Sequence, residues 1–175
     1  MGLSLPIAFF LAATVSSYAA PQVKPKAAKP DQFVKTVTVS MVTVSGTCTK
    51  LVHADQPVDG CKSTLVNMNY STGVSAFWFV TDQTILSFAG DGSSRIEQGP
   101  NDVVQAIDRV ILAPVDATKD GAAKGDTAVG FCRFGDPARK GMITACVAHT
   151  QLGLYEAAFV SDGSPPKREA FQIAQ

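Results

Sequence analysis

Charge and histidine are scarce in this chain, and each shortage removes functions. Charged side chains make up only 17% of the 175 residues, and 15 acidic and 15 basic groups cancel to a formal net charge of zero. Nucleic-acid binding rests on neutralising phosphates with a basic surplus, so no nucleic-acid partner is expected. Two histidines are present, His53 and His149. Histidine is the side chain that titrates near neutral pH without a large shift, and neither one lies in a motif that supplies a nucleophile. Gly-x-Ser-x-Gly does not occur, which leaves no nucleophile elbow. The phosphate-cradling patterns Gly-x-x-x-x-Gly-Lys-Ser/Thr and Gly-x-Gly-x-x-Gly do not occur either. The chain reads as non-catalytic, with no cofactor.

Long apolar runs are also rare. The one at the start, Met1–Val15, is shorter than the ~20 residues a membrane helix needs, and nothing later approaches that length. It runs into Ser17-Tyr18-Ala19-Ala20-Pro21. Small residues at the −3 and −1 positions mark a signal-peptidase site after Ala19, although no Lys or Arg precedes the apolar stretch. Residues 1–19 therefore read as a signal peptide. The remaining 156 of the 175 residues read as one exported domain, periplasmic or extracellular, with no transmembrane segment. Residues 20–34 form a flexible tether: Pro21, Pro25 and Pro30 alternate with Lys24, Lys26 and Lys29, and no apolar period runs through them. A β domain follows over 35–163. The turn cluster Ser161-Asp-Gly-Ser-Pro-Pro166 closes it, and 164–175 is a tail with one helical turn carrying Phe171 and Ile173.

What the chain does have is four cysteines, Cys48, Cys61, Cys132 and Cys146. An even number in an exported chain reads as disulfides. Metal sites of the zinc type use close Cys-x-x-Cys pairs, whereas the spacings here are 13, 71 and 14. The runs 126–134 and 141–150 flank a turn-rich hexapeptide, Gly135–Lys140. A hairpin centred near Arg139 sets Cys132 opposite Cys146, Phe131 opposite Val147 and Val129 opposite His149, which collects one apolar face. The bridges are then Cys132–Cys146 and Cys48–Cys61. Each closes a loop of about 15 residues, worth ~3 kcal/mol on the chain-entropy model.

Val, Thr, Phe and Ile dominate the rest, in short runs broken by turn residues. Over 36–45 the apolar set shifts phase between Met41 and Val42, the signature of a bulge. Val66, Met68 and Tyr70 share one face. In the run 74–80, Trp78 points away from Phe77 and Phe79. Residues 101–112 carry an apolar stripe compatible with a capped helix, but its β-branched content favours a strand. With so little helix to cover a sheet, the sheet must close on itself or pack on another. The expected fold is all-β: a single antiparallel β-barrel, or a β-sandwich, of about eight short strands with two disulfides.

Two functions suit such a chain. One is an exported protein-binding module, inhibitor-like or an envelope accessory, whose protein partner is unknown. Its contact rim would be His53, Asp55 and Asp59, stiffened by the Cys48–Cys61 bridge. The alternative is a carrier that holds a small apolar ligand inside the barrel among Trp78, Phe88 and Tyr155. The stretch Asp91–Glu97 has oxygens suited to calcium but lacks the spacing of a calcium loop, so it reads as a turn, and no metal is assigned.

Overall fold

The computed structural model describes residues 36–116 and 123–174. The expected signal peptide, its expected cleavage point and the expected tether lie outside these residues. Eleven strands form: β1 (Thr36–His53), β2 (Gln56–Pro57), β3 (Thr64–Tyr70), β4 (Val74–Val80), β5 (Thr84–Asp91), β6 (Ile96–Gly99), β7 (Asp102–Pro114), β8 (Lys124–Phe134), β9 (Ile143–Thr150), β10 (Gly153–Ser161) and β11 (Lys167–Ala174). No α-helix occurs among the described residues; one 3-10 turn spans Gly92–Ser94. The stripe after Asn101 is the strand β7, as its β-branched residues favoured.

Following the chain through β1, β3, β4, β5, β7, β8, β9 and β10 gives eight antiparallel strands, each paired with the next. β10 then pairs back onto β1, from Gly46↔Ser161 to Val52↔Glu156, and closes the barrel. The all-β barrel read from the sequence is therefore the observed fold, and closure makes it a barrel rather than a sandwich. Closure depends on a close approach at Gly46. A Cβ there would sit 2.1 Å from the Val160 carbonyl oxygen, so only glycine lets β1 leave β3 and reach β10.

Alternation sorts the side chains. Leu65, Phe77, Phe79, Leu86, Phe88, Val110, Ala148, Tyr155 and Phe159 point inward and form one buried cluster. Phe79 meets Phe88 edge-on with ring centroids 5.8 Å apart, and Phe77 meets Phe134 at 4.9 Å. Burying each such side chain is worth roughly 1.5–3 kcal/mol, so the interior carries most of the stability. The outer wall over β1, β3, β4 and β5 carries a second apolar cluster of Val37, Val39, Met68, Ala76 and Ala89, with Trp78 and Tyr70 against it.

That second cluster corrects the reading of β1. Its register with β3 runs unbroken from Val39↔Tyr70 to Ser45↔Thr64, so no bulge sits at the phase change. Instead the strand has apolar residues on both sides: Val37, Val39 and Met41 outward, Val42 and Val44 inward. The irregularity comes later, between Cys48 and Lys50, where β1 joins β10.

The β8–β9 hairpin has the expected register: Val129↔His149, Phe131↔Val147 and Cys132↔Cys146. Both expected disulfides form, Cys48–Cys61 and Cys132–Cys146. The faces are the reverse of a simple core assignment. Cys132 and Cys146 are buried, while Val129 is 79% and Phe131 47% exposed. A barrel interior is narrow, and here the cystine joins the aromatic side chains that fill it. The tail also differs from expectation. Residues 167–174 are the strand β11, paired with the first half of β1 from Thr36↔Ala174 to Thr43↔Lys167. β10 and β11 thus run end to end along one strand, separated by Asp162–Pro166.

Candidate functional site

The structure divides the candidate contact residues among three places. Phe88 and Tyr155 lie inside the barrel and are fully buried. Trp78 lies on the outer wall, because its neighbours Phe77 and Phe79 take the interior. The three proposed ligand contacts are therefore not brought together. His53, Asp55 and Asp59 gather at the barrel end where β1 stops.

There β1 and β2 form a tight hairpin, His53↔Gln56. Its two turn residues, Ala54 and Asp55, have φ of 48° and 66°, the positive pair that a two-residue hairpin turn needs. Asp55 is committed locally. Its backbone N–H donates to the Leu154 carbonyl at 2.9 Å, and its Oδ1 accepts from the Leu154 N–H at 3.1 Å. The carboxylate thus clips this hairpin to the β9–β10 turn. The His53 ring lies tilted against Tyr155, with ring centroids 5.1 Å apart. Burial, with the charge of Asp126 nearby, raises the Tyr155 hydroxyl pKa. Asp59 is exposed on the strap that runs to Cys61, beside a shallow groove shared with Thr81–Thr84.

A polar network that sequence reading missed occupies the opposite end. Arg95 leaves the 3-10 turn and reaches into the barrel mouth. Its Nε donates to Gln105 Oε1 at 2.9 Å, and its Nη2 donates to Asn69 Oδ1 at 2.8 Å and Ser75 Oγ at 2.7 Å. Gln105, fully buried, returns a bond from Nε2 to the Ser75 carbonyl. The guanidinium also lies 5.4 Å from the Phe134 ring centroid. Partial burial lowers the Arg95 pKa, yet it stays a cation. An arginine in a Gly-Ser-Ser-Arg turn gives no signal of this; the hint was three amides, Asn67, Asn69 and Gln105, at inward positions.

Asp91 begins the same turn. Its carboxylate accepts from Ser93 N and from the Ser93 and Ser94 hydroxyls, which lowers its pKa to about 2. Those oxygens cap the turn. Among the described residues, no three His, Cys, Asp or Glu side chains gather as a metal site requires.

The outer wall holds a strongly apolar concavity. A groove of about 290 Å³ is lined by Tyr70, Ala76, Trp78, Ile85, Ala89 and Ile111, with Arg109 at its border. Ala76 and Ala89 are buried at its floor, and Trp78, Tyr70 and Ile111 are half-buried around it. The small residues make the depression: Ala76 and Ala89 are register partners flanked by large ones. Larger clefts of about 530 and 540 Å³ are open and more polar, one beside the Asp102–Arg133 ion pair and the other beside His149.

No family model, curated protein or solved structure matches this chain. Class therefore rests on the fold alone: a closed eight-stranded antiparallel barrel with two disulfides. Those bridges fit an oxidising, exported compartment, and no helix among the described residues is long and apolar enough to cross a membrane.

Proposed function

We propose that this protein is an exported, non-catalytic binding module that docks a protein partner through the outer-wall groove around Trp78. The observation that carries the reading is the contrast between a filled interior and an apolar depression on the outside. A carrier of the barrel type needs a hollow lumen, and here Phe77, Phe79, Phe88, Tyr155 and Phe159 occupy it. An interface needs a concave apolar spot for an anchor side chain, rimmed by polar groups, and Trp78, Ile111 and Arg109 supply both. The fitting partner presents one large apolar side chain with a carboxylate beside it for Arg109. The rim at His53, Asp55 and Asp59 contributes less, since Asp55 and His53 are occupied within the fold. Release into the periplasm or the extracellular space follows from cleavage after Ala19.

The test is capture from the exported fraction by the immobilised chain 20–175, with Trp78→Glu as comparison. A partner held by wild type and lost by about tenfold or more with Trp78→Glu supports the reading, since truncated anchors typically cost over 1.4 kcal/mol. Retention of the partner by Trp78→Glu overturns the groove. Substrate turnover that vanishes with His53→Gln or His149→Gln overturns the non-catalytic assignment.

A further inference from the structure

The eight barrel strands close on one another in a ring, but β11 does not share in the closure. Among the described residues it pairs only with β1, and all eight of its residues are exposed. Its second edge is a row of backbone N–H and C=O groups without a strand partner among the described residues. Natural sheets blunt such edges with charge, proline or bulges. Lys167, Arg168 and Glu169 do so over the first part only. Ala170-Phe171-Gln172-Ile173-Ala174 has no charge, proline or glycine, which is the composition that pairs with another strand.

We propose that β11 pairs with β11 of a second copy of this chain, giving a two-fold symmetric dimer whose sheet runs continuously from one barrel into the other. The backbone row demands a strand, and this strand is complementary to itself. Antiparallel pairing about a two-fold axis normal to the sheet keeps each residue on its own face, so odd positions must meet odd positions. Phe171 and Ile173 share the outer face with Val39 and Val37; Arg168, Ala170 and Gln172 share the other. Setting Phe171 opposite Phe171 puts Ile173 opposite Glu169, Ala170 opposite Gln172 and Ala174 opposite Arg168. No like charges then oppose one another. Sliding one pleat puts Phe171 against Glu169 and Ile173 against Lys167. A further pleat sets Glu169 against Glu169, which is destabilising. The first register also joins the apolar outer walls of the two copies, since Val39 lies between Phe171 and Tyr70 in the row. A net charge of zero adds no long-range repulsion between copies.

Sedimentation of the chain 20–175 over a concentration series tests this, with Phe171→Lys, Phe171→Cys and Ile143→Cys alongside. Every native cysteine in the described barrel is in a disulfide, so an added thiol reports contact between copies. The expected result is a concentration-dependent dimer, weakened by about tenfold or more in Phe171→Lys and trapped covalently by mild oxidation of Phe171→Cys. Ile143→Cys, exposed on β9, should not cross-link. A chain monomeric throughout, or a dimer indifferent to Phe171→Lys and untrapped by Phe171→Cys, overturns the proposal. So does a monomer whose β11 edge is protected from amide exchange only when a different protein is added.

Discussion

Replacing Arg95 with alanine tests whether the barrel mouth is held by a structural cation. Three neutral acceptors and one ring surround the guanidinium. Of these, Gln105 matters most, because it is fully buried and its Oε1 receives the Arg95 Nε–H. Removing the donor leaves that oxygen unsatisfied, at a cost of about 1–3 kcal/mol. Losing the Phe134 contact adds roughly 0.5–1 kcal/mol. Asn69 can turn to water once the side chain is gone, the buried Ser75 hydroxyl keeps the Asn67 Nδ2 donor at 3.4 Å, and removing a half-buried cation recovers part of its desolvation. Arg95→Ala should therefore destabilise by about 2–3 kcal/mol, or roughly 4–12 °C in Tm for a domain of this size. Thermal and urea unfolding followed by circular dichroism measure it. Gln105→Leu in the Arg95→Ala background removes the stranded oxygen, so the double variant should lose less than the two single losses together, by about 1 kcal/mol. Arg95→Lys should recover only part of the loss, because one ammonium cannot reproduce the planar fork. A change within about 0.5 kcal/mol for Arg95→Ala, or strict additivity in the cycle, would refute a buried network and leave Arg95 as a surface side chain.

The disulfides should act separately: changing both members of either pair to Ala costs about 3 kcal/mol, read from urea midpoints. Asp91 should shape the acid limb of stability. Its pKa is about 2 folded against 3.8 as a free side chain, so its contribution is present above about pH 4 and is lost as pH falls towards 2; Asp91→Asn should flatten that part of a pH–Tm profile. Gly153→Ala should destabilise by about 1–3 kcal/mol, because φ is 125° there and a Cβ would lie 2.1 Å from Asp55 Oδ2; an unchanged Tm would remove the Asp55 clip from the account.

Local pairing was readable in the sequence because a strand repeats every two residues. The Cys132–Cys146 register, the opposite facing of Trp78 against Phe77 and Phe79, and the strand over 102–114 all follow from that period and from turn chemistry. Which face is inside does not follow from it. Val129 and Phe131 look like core residues, yet the narrow interior takes the cystine and turns them out. Closure is likewise invisible locally, since β1 and β10 are separated by most of the chain. β11 escaped notice because it is exposed on every side and follows two prolines, Pro165 and Pro166, that read as an ending. The candidate contacts fared unevenly for the same reason. Trp78, Phe88 and Tyr155 are alike in chemistry, but only the sheet's pleat decides which of them solvent can reach.

Thr36 and Ala174, the first and last residues of the sheet, are register partners. The strand path is therefore a ring that returns to its origin, and no strand crosses over another on the way round. Breaking that ring elsewhere leaves every neighbour relation intact. A chain opened in the exposed Asp136–Gly141 turn, with its old ends joined by a short linker, would have the same eight pairings in a different order of synthesis. In that circular permutant β10, β11 and β1 become consecutive, and the distant closing pair moves from β1–β10 to β8–β9, which the Cys132–Cys146 bridge already joins.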